Sequence, residues 1–192
     1  MSDETDALRR KWDERYRGLA VDETRAARVL TENLHLLPAQ GRALDLACGL
    51  GAHACVLARA GLQVDAWDLS PVAIETLQAH ATRHRLTLRA EVRDAIALPP
   101  PPAGYDVIVA VHFLERGLAP ALMAALRPGG LLFYQTFAGV GPGPSNPAFR
   151  LGRGELRRLF ADLTPVVYRE EHDIGDGARG LRGEAMLIAQ RT

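Results

Sequence analysis

Three carboxylates and two glycines stand where a nucleotide could be held. In "RALDLACGLGAHACVLARAG", residues 42–61, an apolar strand runs into a turn carrying Gly49 and Gly51, and a helix follows. Asp45 lies on the strand, four residues before Gly49; Asp68 ends the next apolar stretch, "LQVDAWD", and Asp94 follows "TLRAEVR". Glycines in such a turn let the backbone approach a ligand without side-chain clash. A carboxylate at the end of the second strand can accept both ribose hydroxyls. Asp94 could accept a hydrogen bond from an exocyclic adenine amine, or cap the backbone of "AIAL".

The glycines do not choose the nucleotide. Gly49-x-Gly51-x-x-Ala54 fits the dinucleotide fingerprint of a nicotinamide oxidoreductase, and Asp68 serves either cofactor. Asp45 makes the distinction. A carboxylate at the mouth of the turn repels a pyrophosphate and attracts the cationic methionine part of S-adenosylmethionine (SAM). His112, after the apolar run "YDVIVAV", is the titratable group expected at a strand end facing an acceptor. Its ordinary range suits proton abstraction; lining the adenosine pocket is its plainer role. His53, just past Gly51, reads as a helix-start residue over the cofactor.

The elements that must position these residues alternate. "RALDLA", "LQVDAWD", "TLRAEVRD", "YDVIVAVHF" and "GGLLFYQTF" read as strands. Helices are expected between them over "HACVLARAG", "PVAIETLQAHATRH" and "LAPALMAALRP", with Pro71 in the first turn of the second and Gly61 stopping the first. Apolar strands alternating with helices make a doubly wound parallel sheet. Its ligand sits at the carboxyl ends of the strands. Ahead of the sheet, residues 4–17 and 22–36 read as two helices, the second with Asp22 as N-cap. After Phe137 comes a Gly/Pro-rich loop, "AGVGPGPSNPAF", then an expected helix, "GRGELRRLFADL". "TPVVYREEHDI" and "EAMLIAQR" are joined by too short a link for a helical crossover, so they should be antiparallel neighbours.

Length and composition suit one domain. The 192 residues contain 23 Lys plus Arg against 23 Asp plus Glu, a balance that argues against a nucleic-acid binder. Cys48 and Cys55 read as free buried thiols, and no Asp/His metal constellation is apparent. The N-terminal stretch is polar and no apolar run reaches membrane-spanning length, so a cytoplasmic protein is expected, monomeric or homodimeric, with no membrane partner.

"ALDLACGLG", "VDAWDLS", "EVRDAIALP", "YDVIVAVHFLE" and "LRPGGLLFYQTF" together resemble the successive motifs of class I SAM-dependent methyltransferases. Ala47 departs from the family's first glycine. "KWDERYR", "GPSNPAFRLGRGELRRLF" and "VVYREE" look like the small tellurite-resistance-type members. The resemblance implies a Rossmann-like α/β fold with a seven-stranded sheet, mostly parallel with an antiparallel C-terminal strand. It divides a single domain, 1–192, into an N-terminal helical cap (1–38), a SAM-binding core (42–137) and a substrate-side region (138–192). The cofactor contacts it implies are Asp45, Ala47, Cys48, Gly49, Gly51, Asp68, Leu69, Ser70, Asp94, Ala95 and Val111. Trp12, Tyr16 and Arg17 would close over the methionine end, Arg17 pairing its carboxylate. On the acceptor side Phe113, Phe137 and Phe149 could form an apolar wall, and Arg179 and Arg182 could face an oxyanion. A "DPPY"-like motif is missing where "VHFLE" stands, which argues for a small-molecule acceptor: a tellurium or selenium oxyanion, a thiol or a small metabolite. A nicotinamide oxidoreductase and a catalytically silent SAM-binding module are the competing readings.

Overall fold

The computed structural model describes residues 3–192. Seven strands form one sheet in the order β3-β2-β1-β4-β5-β7-β6. They are β1 (Arg42–Leu46), β2 (Gln63–Asp68), β3 (Leu88–Val92), β4 (Tyr105–Val111), β5 (Leu126–Phe137), β6 (Thr164–Glu170) and β7 (Glu184–Gln190). β7 runs antiparallel to both β5 and β6, while the pairings among β1 to β5 are parallel. The sheet order, the lone reversed strand and the leading helix match the expected architecture.

β4 shows why its sequence is continuously apolar. Val107 and Val109 face a core shared with α3 (Ala52–Arg59) and α4 (Pro71–His84); Ile108 and Ala110 face one shared with α5 (Ala119–Ala125) and α6 (Glu155–Leu159). All four are fully buried. A strand covered on both faces has no polar side to alternate with. The chain leaves β1 toward β2 and later returns to place β4 on β1's other flank, so the switch in strand order lies between β1 and β4.

Three expectations fail locally. Residues 22–36 do not form one helix: a 3-10 turn at Val21–Glu23, a four-residue α2 (Arg28–Thr31) and a second 3-10 turn at Leu34–Leu36 replace it. Asp22 is inside the first turn, not at a helix N-cap. The reason is tertiary. The N–H of Ala27 donates to His53 Nε2 at 2.9 Å and that of Val29 to Gln135 Oε1 at 2.8 Å, which draws Val29 and Leu30 into the core. α6 covers five residues rather than twelve, because the backbone leaves the helix at Phe160 to bury both Phe160 and Leu163. "LRP" belongs to β5, with the glycines after it, and not to the helix before it. Residues between the pairs Tyr105↔Leu126 and Val107↔Leu131 bulge outward, and Pro128 sits where no ladder donor is needed.

The helix before the sheet, α1 (Asp3–Tyr16), packs against α4. Ser70 caps α4, its Oγ accepting from the N–H of Ala73 at 3.2 Å while donating to Asp13 Oδ1 at 2.5 Å. Asp13 therefore ties α1 to the rim of the sheet.

Candidate functional site

The turn after β1 is built from left-handed backbone. Ala47, Gly49 and Gly51 have φ of 53°, 53° and 81°. For alanine that region costs about 1 kcal/mol, which explains why a glycine would suit position 47. The two glycines do different work. A Cβ on Gly51 would lie 2.3 Å from Leu77 of α4, so this glycine permits helix packing. A Cβ on Gly49 would lie 2.9 Å from the Tyr16 hydroxyl, so Gly49 is the one that keeps open the space beneath α1.

Asp68 organises the turn. Its Oδ2 accepts the Gly49 N–H at 2.8 Å and its Oδ1 the Ser70 N–H at 2.9 Å. Each oxygen keeps a second lone pair for a further donor. Asp45 is almost completely buried. It reaches the first turn of α3, where Oδ2 accepts the Ala54 N–H at 2.9 Å, and Oδ1 is 3.9 Å from His53 Nδ1. Burial pushes its carboxyl up to about 8, the Ala54 bond opposing and the Asp68 charge adding. Such a group gains most from a cationic partner. Burial, with the neighbouring His112 ring adding to it, lowers His53 to about 4, so the His53 ring is neutral. Its Nε2 accepts from Ala27 and its proton sits on Nδ1, toward Asp45.

α1 covers the turn. Trp12 and Tyr16 stack at 5.7 Å, and burial, with the charges of Asp68 and Cys48, drives the Tyr16 hydroxyl far above its usual range. Arg17 is not brought in: it is exposed and pairs with Glu14 at 3.4 Å. Leu69 is half-buried beside Ser70, and Ala95 is buried. Asp94 Oδ1 accepts the N–H groups of Ile96 and Ala97 at 2.9 and 3.2 Å, so it does cap its turn. Cys48 and Cys55 are free and buried, as expected, and burial raises both thiols.

At the end of β4, Val111 pairs with Gln135 and the chain turns through His112, at φ 54°. The His112 ring stacks on Phe137 at 4.5 Å, and Nε2 meets Glu184 Oε1 at 2.8 Å. Gln135 Nε2 donates to the other Glu184 oxygen, and Gln135 Oε1 holds the Val29 N–H. Burial pushes Glu184 up, but the bonds from His112 and Gln135 outweigh it and hold the carboxyl below its usual range. An ionised Glu184 accepts, so His112 Nε2 carries the donated proton, and in the neutral ring the lone pair is on Nδ1. Glu184, Gln135 and Asp13 carry no local motif. Only the reversed direction of β7, which starts at Glu184 beside Phe137, could have hinted at the first.

The remaining acceptor-side residues divide. Phe113 packs against the core and Phe149 is exposed. Arg182 was expected to face an oxyanion. Instead its guanidinium donates to the carbonyls of His172, Ile174, Asp176 and Arg179, at 2.5–2.8 Å, folding the 171–183 loop around itself. Arg179 stays exposed on that loop. Arg150 does the same for the other loop, donating to the carbonyls of Gly139, Gly141, Pro142 and Pro144 while lying over the Phe137 ring at 5.8 Å.

The sheet order and the turn at the β1/β4 switch point give a Rossmann-like methyltransferase fold. Residues 43–130 match the family described as "Methyltransferase domain". A "Hemagglutinin 1" of Eikenella corrodens is 34% identical over 140 residues, covering 67% of this chain and 46% of that protein. A "Ubiquinone biosynthesis O-methyltransferase" of Burkholderia ambifaria is 30% identical over 138 residues, covering 69% and 60%. The chain thus spans about half to three-fifths of the length of these curated relatives. Among solved structures, TehB from Haemophilus influenzae superimposes with a TM-score of 0.72 at 21% identity, over 88% of this chain and 64% of that one. The residues present fit SAM: Gly49 leaves a cradle a Cβ would fill, and the buried Asp45 suits a cation. Among the described residues no helix is long and apolar enough to cross a membrane.

Proposed function

We propose that the chain transfers the methyl group of SAM to a hydroxyl of a small organic acceptor. The observation that carries this reading is the His112–Glu184 pair at the end of β4, with the Phe137 ring stacked against it. SAM supplies an electrophilic methyl on a sulfonium and leaves as S-adenosylhomocysteine. Asp45, Gly49, Asp68 and Tyr16 would hold it, and Trp12 would support Tyr16. A hydroxyl must lose its proton as its oxygen forms the new bond to carbon. The lone pair on His112 Nδ1 is the acceptor for that proton, and Glu184 balances the imidazolium. Alignment of acceptor and donor supplies most of the remaining effect. The relative named for O-methyl transfer supports a hydroxyl acceptor.

A thiol or a reduced tellurium or selenium anion needs no base, and the likeness to the small tellurite-resistance-type enzymes supports that class as the second reading. The occupied guanidinium of Arg182 speaks against an oxyanion receptor there. An acceptor screen that measures S-adenosylhomocysteine release separates the two. Turnover on phenolic hydroxyls that falls about 100-fold or more in His112→Ala, with SAM affinity kept, is expected. Turnover confined to thiols, tellurite or selenite, and unchanged by His112→Ala, would select the second. Calorimetric binding of NADH and not SAM would overturn both; SAM binding without turnover on any acceptor would leave a silent module.

A further inference from the structure

Outside this site, Asp22, His80 and His84 converge. One ligand atom from each lies within 4.8 Å of the other two. His80 and His84 are one helical turn apart on α4, where side chains four residues apart share a face. Their rings are 4.2 Å apart and tilted by 31°. Asp22 arrives from the 3-10 turn Val21–Glu23, a separate element, so no spacing in the sequence announced it. His80 Nε2 is buried with no hydrogen-bond partner, in a side chain only 7% exposed. Buried polar atoms are rarely left so, and an ion is one of the few things that explains one.

We propose that Asp22, His80 and His84 form a site for a divalent transition metal of the zinc, cobalt or nickel class, which pins the chain after α1 onto α4. Two imidazoles and one carboxylate suit those ions, whereas magnesium and calcium prefer oxygen ligands throughout. Zinc at ~2.0–2.1 Å from each donor needs the donors about 3.3 Å apart. His80 is fixed in the core, and the exposed Asp22 and His84 can rotate onto it. Metal binding takes the neutral imidazole, and Arg59 and Arg83 lie near His80. The two arginines also oppose a dication, so the site should bind less tightly than an uncharged setting would.

The test uses the untagged full chain, stripped with chelator and titrated with Co²⁺ and then Zn²⁺. Expected are one equivalent of bound metal, a visible ligand-field band for Co²⁺, and a rise in Tm with Zn²⁺. Asp22→Asn and His84→Ala change exposed side chains, so both should fold, as circular dichroism would show. Each should weaken binding about tenfold or more and abolish the Tm rise. Cys55→Ser, in a chain shown by circular dichroism to be folded, should leave metal binding unchanged. No stoichiometric binding by the parent chain, equal binding by both variants, or loss of binding in Cys55→Ser would overturn the proposal.

Discussion

The proposed cofactor side and the proposed acceptor side of this site are held in different ways. At the glycine turn, the residues that shape the space are close in sequence or at the ends of neighbouring strands. Asp68 grips Gly49 and Ser70, Asp45 grips Ala54, and the bonds run to backbone N–H groups. On the acceptor side two loops, 138–150 and 171–183, have little backbone pairing of their own. Each is wrapped around one arginine that binds four carbonyls. The first arrangement is a backbone cradle specified by local conformation. The second depends on single long side chains, which lets loop sequence vary while loop shape is kept.

The contrast breaks most sharply at Gly49. Gly49→Val should lower SAM affinity about 100-fold or more, measured by calorimetry, because its branched side chain at φ 53° would project onto the Tyr16 hydroxyl. Gly49→Ala should show the same direction with a smaller loss, and folding is checked by its thermal transition. If both variants bind SAM as the parent does, the cradle is not the cofactor's seat.

Arg150→Ala tests the other side. It should reduce kcat/KM for the acceptor about 10- to 100-fold through a misplaced 138–150 loop, with SAM affinity unchanged. Equal loss of both would show that the loops and the cradle are one unit.

Asp45 gives the finest discrimination, through pH. Its carboxyl sits at about 8 in the folded chain, above its ordinary 3.8. The folded state therefore holds this proton more tightly than the unfolded one. Its contribution to stability is full below the unfolded value and is lost as pH rises through about 8. A cationic ligand favours the ionised form, so binding SAM below that point releases a proton. Affinity should rise with pH by up to about tenfold per unit until about 8 and then level off. Asp45→Asn should flatten the profile. A profile of the same slope in that variant would assign the dependence to another group.

The same contrast explains what the sequence could tell. The alternation of apolar runs with helices made the sheet legible, and β4 was plain because both faces are buried. Asp45, Gly49, Gly51 and Asp68 were legible because left-handed turns and strand-end carboxylates leave local marks. Residues 22–36 misled because their helical period was real, but His53 and Gln135 claim the N–H groups of Ala27 and Val29. Arg182 misled for the opposite reason. A cation in a loop at the ligand end of a sheet suggests a ligand, and no local pattern reveals that four carbonyls already surround it. Glu184 was passed over as the first residue of a strand, although the strand's reversed direction sets it beside His112.

That reversed strand also sets an order of assembly. β7 lies between β5 and β6, and its first residue is Glu184. On a ribosome the glycine turn, Asp68 and His112 emerge long before it. A nascent chain can therefore form the cradle while the carboxylate that orients His112 is still inside the exit tunnel. Until β7 docks, the flank of β5 that it will cover, seven paired residues long, is an unsatisfied edge open to other chains. β7, the seventh strand in chain order, brings Glu184 to His112 and joins β6 to β5 in one step, so translation that stalls before it leaves that edge of β5 open to other chains.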